Sequence, residues 1–83
     1  MDQFSDVPKY VKEFLIYMGT IKGSSKNTVH EYYLDIKLFL RFMKSFRESV
    51  PFSDEIDVSG LQIEFIQKIN LSDLYEYLYF LDT

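Results

Sequence analysis

The sequence predicts an all-α fold, a small bundle of four helices with a long second helix at its centre. Three observations carry this. Apolar residues recur at helical spacing in most of the chain. Helix-start chemistry precedes each of the stronger runs. The chain is rich in material for a core, with eight Phe and seven Tyr among 83 residues. That length makes one domain, and a domain this small is stable only if its core is dense.

The helices are expected at about residues 8–20, 25–46, 60–68 and 72–82. Ser5 or Asp6 can cap the first, and Pro8 suits its opening turn because its missing N–H has no partner to find there. Val11, Phe14, Leu15 and Met18 form its buried stripe. Gly23 then offers the chain a positive φ at which to turn. Ser25 is the best N-cap for the second helix, with Asn27 and Thr28 as alternatives. Its apolar stripe is Val29, Tyr32, Tyr33, Ile36, Phe39, Leu40 and Met43. Leu34, Leu38 and Phe42 lie off that stripe, the pattern of a helix packed centrally. Phe14, Leu15, Ile36, Phe39, Leu40, Met43, Leu74 and Leu78 are the expected core.

The pattern breaks over 48–59, where Pro51, Ser53, Asp54 and Asp57 read as a loop. Leu61, Ile63, Phe65, Ile66 and Ile69 allow a short helix, although the alternation at Leu61, Ile63 and Phe65 also allows a brief strand. Ser72 is a natural cap for the last helix, with Asp73 and Glu76 near its positive end. The run Tyr79-Phe80-Leu81 is still apolar where the chain stops, as expected of a piece of a longer protein.

Several function classes find no support. There is no Cys, hence no disulfide framework or thiolate metal site. His30 is the single histidine, and it lacks partner motifs for a zinc site or a Ser-His-Asp triad. Gly19, Gly23 and Gly60 fit neither a P-loop nor a dinucleotide fingerprint. Asp54 and Glu55 form a carboxylate pair in a loop without supporting chemistry. No catalytic residue, metal or cofactor is expected. No apolar run approaches the roughly 20 residues of a membrane span, and no signal peptide opens the chain. The expected setting is therefore a soluble protein of the cytoplasm, with no membrane partner.

Charge is distributed unevenly. The formal net charge is −4. Residues 1–47 hold eight Lys and Arg against five Asp and Glu, whereas 48–83 hold Lys68 against eight acids. On a helical wheel, Lys26, Lys37, Arg41 and Lys44 all fall within about 40° of His30. The apolar stripe lies about a right angle away. A cationic row opened by the free N–H groups of a helix start suits a phosphate backbone. Ser24, Ser25, Asn27 and Thr28 add short donors of the kind that position phosphate. Lys37 and Arg41 are long enough to reach base edges in a major groove. The candidate DNA-binding residues are Ser25, Lys26, Asn27, Thr28, Lys37, Arg41 and Lys44. An ordinary solvated helix face would look similar.

Gly23, Ser25, Asn27-Thr28-Val29, Tyr32, Asp35-Ile36 and Phe39 stand in the order and spacing of a motif found in tyrosine recombinases. The chain resembles the N-terminal core-binding domain of that family, of the phage-integrase and Xer type. Phe14-Leu15 and Met18 fit the family's first helix, and 70–78 fits its last. Two departures stand out. Ser24 replaces the usual Leu, and Tyr33 replaces a frequent Arg, which removes one expected cation near DNA. The acidic segment 48–64 is no part of the core pattern. The resemblance implies a SAM-like four-helix bundle over 1–83 that forms half of a clamp around double-stranded DNA and positions a recombination site. It further implies a covalently linked C-terminal catalytic domain, absent from this chain, that cuts and rejoins DNA through a phosphotyrosyl intermediate without metal or cofactor, alongside other recombinase protomers on the DNA. The rival reading is a helical protein–protein interaction module that works through its acidic C-terminal half.

Overall fold

The computed structural model describes residues 3–83; Met1 and Asp2, which open the expected domain, lie outside the described residues. Four helices follow one another: α1 (Lys9–Thr20), α2 (Lys26–Glu48), α3 (Ile63–Gln67) and α4 (Leu71–Asp82). No strand occurs among the described residues. The fold is all-α, with α1 and α4 each packed on the long α2.

Pro8 is the N-cap of α1, and its carbonyl accepts from Val11 and Lys12 N–H, both at 3.0 Å. Neither Ser5 nor Asp6 caps the helix, because no side chain bonds its first turn. Proline's fixed φ starts the helix without one, and Asp6 is engaged elsewhere. Gly23 takes φ 78°, and Ser24 N–H returns to the Met18 carbonyl at 2.9 Å. A Cβ at Gly23 would meet nothing within 4 Å, so the dihedral alone favours glycine here.

Ser25 caps α2, its Oγ accepting from Thr28 N–H at 3.1 Å. The helix runs to Glu48, about a half-turn beyond its expected end. It closes through Ser49 in the left-handed region (φ 55°), with Val50 N–H on the Ser45 carbonyl at 3.0 Å. The expected third helix shrinks to the five residues of α3, since 58–61 form a turn with Leu61 N–H on the Val58 carbonyl. The last helix is capped by Asn70 rather than Ser72 and so starts at Leu71, two residues earlier than a Ser72 cap would allow. Asn70 accepts from Asp73 N–H, and the Asp73 carboxylate accepts from Asn70 N–H, both at 3.0 Å. This reciprocal box satisfies two otherwise orphaned donors.

Leu15, Leu40, Met43 and Val58 are sealed at the centre, joined by Phe4, Val7, Val11, Met18, Val29, Tyr33 and Phe42. Ile36 and Phe39 are half-buried against them. Phe14, Leu74 and Leu78, expected in the core, are surface residues with 42%, 40% and 57% exposure. The reason for the two leucines is how α4 seats. It meets α2 through Tyr77 and Phe80, with ring centroids 4.9 Å (Phe39–Tyr77) and 4.7 Å (Phe42–Phe80) apart. Leu74, Leu78 and Leu81 lie about a right angle further round the helix, so they face outward. Phe14 sits at the margin of the buried stripe of α1, edge-on to the equally exposed Tyr32 at 6.2 Å.

Segment 50–62 is more than a loop. Ile56, Val58 and Leu61 enter or border the core, and Val58 is as inaccessible as any leucine there. The N-terminal Phe4 and Val7 do the same from the other end of the chain.

Candidate nucleic-acid interface

The cationic row of α2 divides into two parts. At its start Ser25, Lys26, Asn27, Thr28 and His30 are all exposed. Ser25 Oγ accepts from Thr28 N–H and bonds the Thr28 hydroxyl at 3.0 Å, which fixes the first turn. The remaining N–H groups of that turn have no intrahelical acceptors, and Lys26, the first residue of the helix, is exposed. A shallow groove runs from this end to α1, lined by Gly19, Ser24, Lys26, Val29 and His30 among others.

Further along, the same row is occupied by internal partners. Lys37 Nζ donates to Asp6 Oδ2 at 3.1 Å and to Tyr33 OH at 2.9 Å. Tyr33 OH donates to the Asp6 carboxylate, 2.7 Å from each oxygen. The ammonium also stands 4.4 Å from the Tyr33 ring centroid. Burial opposes both charges of this pair, yet the hydrogen bonds outweigh it: from Tyr33 and Lys37 they hold the Asp6 carboxyl below its ordinary value, and to Tyr33 and Asp6 they raise Lys37 above its own. Arg41 Nε donates to the Ile56 carbonyl at 3.1 Å, and Lys44 Nζ to the Asp57 carbonyl at 2.7 Å. These two bonds hold the two residues that immediately precede Val58 against α2. Arg47, one turn on, pairs with Asp73 at 3.4 Å and lies 4.8 Å from the Phe65 ring, tying α2 to α3 and α4.

Of the seven candidate residues, the structure brings Ser25, Lys26, Asn27 and Thr28 together on an open helix end. Lys37, Arg41 and Lys44 lie along the same helix, half-buried and hydrogen-bonded to other segments. The partners that occupy them were not marked in the sequence. Tyr33 and Lys37 are i, i+4 neighbours, which was visible, but Asp6 is 27 residues from Tyr33, and backbone carbonyls carry no sequence signal. No group of three or more His, Cys, Asp or Glu that could hold a metal occurs among the described residues. Likewise none of their helices is long and apolar enough to cross a membrane.

No family model matches the chain, and no solved structure matches it. Among curated proteins it is similar to a tyrosine recombinase, XerC of Caldanaerobacter subterraneus subsp. tengcongensis, with 44% identity over 77 residues. The match covers 88% of this chain and 22% of the relative, so the chain spans about a fifth of that protein's length. Over nearly all of its own sequence, then, this all-helical chain is similar to a tyrosine recombinase.

Proposed function

We propose that this chain is the core-binding domain of a site-specific tyrosine recombinase or integrase, which binds double-stranded DNA and positions a recombination site for a separate C-terminal catalytic domain. The observation that carries this reading is the 44% identity to a tyrosine recombinase over most of the chain. The open start of α2 supports it: helix N–H groups, short hydroxyl and amide side chains and Lys26 converge there, the chemistry that grips a phosphate. Lys37, Arg41 and Lys44 continue the surface along the helix. In this reading the chain itself carries out no catalysis. The whole protein cuts and rejoins DNA in the cytoplasm, with its catalytic domain on the same polypeptide and other protomers on the same DNA. With a net charge of −4, the isolated chain should bind DNA weakly, at the weak end of roughly 10⁻⁴–10⁻⁶ M at physiological salt.

Titrating duplex DNA into the isotopically labelled chain tests this. Amide shifts should move at 24–30 and along α2, and Lys26→Ala should weaken binding to all sequences alike while lowering the salt slope by about one. Lys68→Ala is the control and should change nothing. A specific observation favours a second reading, an interaction module. Leu71, Leu74, Tyr75, Leu78, Tyr79 and Leu81 leave α4 with an open apolar face, in the acidic half of the chain. Shifts confined to α4 and Glu64, with none at 24–30, would reject DNA binding by α2 and favour that module.

A further inference from the structure

We infer that Asp6 is a latch on Lys37, which withholds this cation from DNA by pairing it within the chain. The inference rests on the DNA-binding reading above and concerns which members of the α2 row act in it. Lys37 differs from its neighbours on the row. Arg41 and Lys44 donate to neutral backbone carbonyls; neither makes a hydrogen bond to a carboxylate, although the Lys44 charge is felt by Asp57. Lys37 donates to a carboxylate at 3.1 Å, and the pair is net neutral.

The geometry is that of a removable cover. Lys37's side chain is 15% exposed and Asp6's is 46% exposed, so the carboxylate is the more open member of the pair. Asp6 sits between Phe4 and Val7, both buried in the core. Those anchors hold the backbone of the segment in place on either side of the carboxylate, so its release needs to break only the bonds to Lys37 and Tyr33. Tyr33 sets the register of the cover, since its hydroxyl donates to Asp6 and accepts from Lys37. This gives a physical role to the tyrosine that stands where the related motif often has Arg. An ion pair this near to solvent is weakly held and screened by salt. While it persists, Lys37 releases no counterion from DNA, and Asp6 repels an approaching phosphate.

The test is fluorescence anisotropy on a labelled duplex across a salt series, with wild type, Asp6→Asn, Lys37→Ala and the double variant. Freeing one cation steepens the salt slope by about 0.9, so the affinity advantage of Asp6→Asn over wild type should shrink about 3.5-fold between 50 and 200 mM salt. Lys37→Ala alone should weaken wild-type binding, because it bares the Asp6 charge, while leaving the salt slope nearly unchanged, because the paired cation releases no counterion. In the Asp6→Asn background it should abolish the gain. Asp6→Ser, a second lesion of the same carboxylate, should reproduce the steepening. A Lys37→Ala change in salt slope that is equal in the wild-type and Asp6→Asn backgrounds would mean that the two charges act independently and would overturn the latch. So would Asp6→Asn and Asp6→Ser matching a wild type that itself binds with normal salt dependence. No binding by any protein, wild type included, would instead overturn the DNA reading on which the latch depends.

Discussion

Val58→Ala probes how the loop and α2 depend on each other. Val58 is 1% exposed, and the carbonyls of the two residues before it accept from Arg41 and Lys44. Truncation to Ala removes two buried carbons, about 1.6 kcal/mol at about 0.8 per group. A residual cavity of roughly 40 Å³ adds about 1 kcal/mol. The total is about 2–3 kcal/mol, which for a domain of this size lowers Tm by about 10–20 °C. Val50→Ala is the matched control, the same substitution in the same connection at a residue 46% exposed, and it should cost under about 1 kcal/mol. Thermal and urea unfolding followed by far-UV circular dichroism measures both. Equal losses in the two variants would refute the view that 50–62 is anchored in the core.

The remaining expectations are independent of that one. Tyr10 OH is buried without a hydrogen-bond partner, and burial, with the charge of Glu64, raises its pKa; Tyr10→Phe should therefore leave stability unchanged or raise it by about 1 kcal/mol, read as the urea midpoint. Asn70→Ala removes the cap of α4 and half of its box with Asp73, and should cost about 1 kcal/mol with hydrogen exchange accelerating first at 71–74. The Asp6 carboxyl is held below its ordinary 3.8, so its stabilising contribution is present above that value and fades as pH falls through the lowered one. Thermal melts from pH 6 downward should therefore show wild type losing more stability than Asp6→Asn, with the difference confined to the acid side.

What the sequence determined by itself is what local physics encodes. The spacing of Val11, Leu15 and Met18, the Ser25 cap and the positive φ at Gly23 each depend on residues within a turn or two. They fixed α1, α2 and the turn between them, and with them the exposed cluster from Ser25 to Thr28. The tyrosine recombinase similarity was legible for the same reason, since its motif lies within that stretch.

Tertiary structure decided what depends on distant residues meeting. Apolar spacing gives a helix a stripe but not the partner it will face, so Leu74 and Leu78 were indistinguishable from Tyr77 and Phe80 until α4 seated on α2. Val58 and Phe4 carry no periodic signal, because a single anchoring side chain in an irregular segment has no repeat to reveal it. The α2 cations show the limit most clearly. A helical wheel put Lys26, Lys37, Arg41 and Lys44 on one side, and they are on one side. Whether each faces solvent or a partner was settled by Asp6, Ile56 and Asp57, brought onto that helix by segments that fold across it from both ends. Helix periodicity is set by bonds four residues apart, whereas the electrostatic state of a side chain is set by whatever lies within a few ångströms in space.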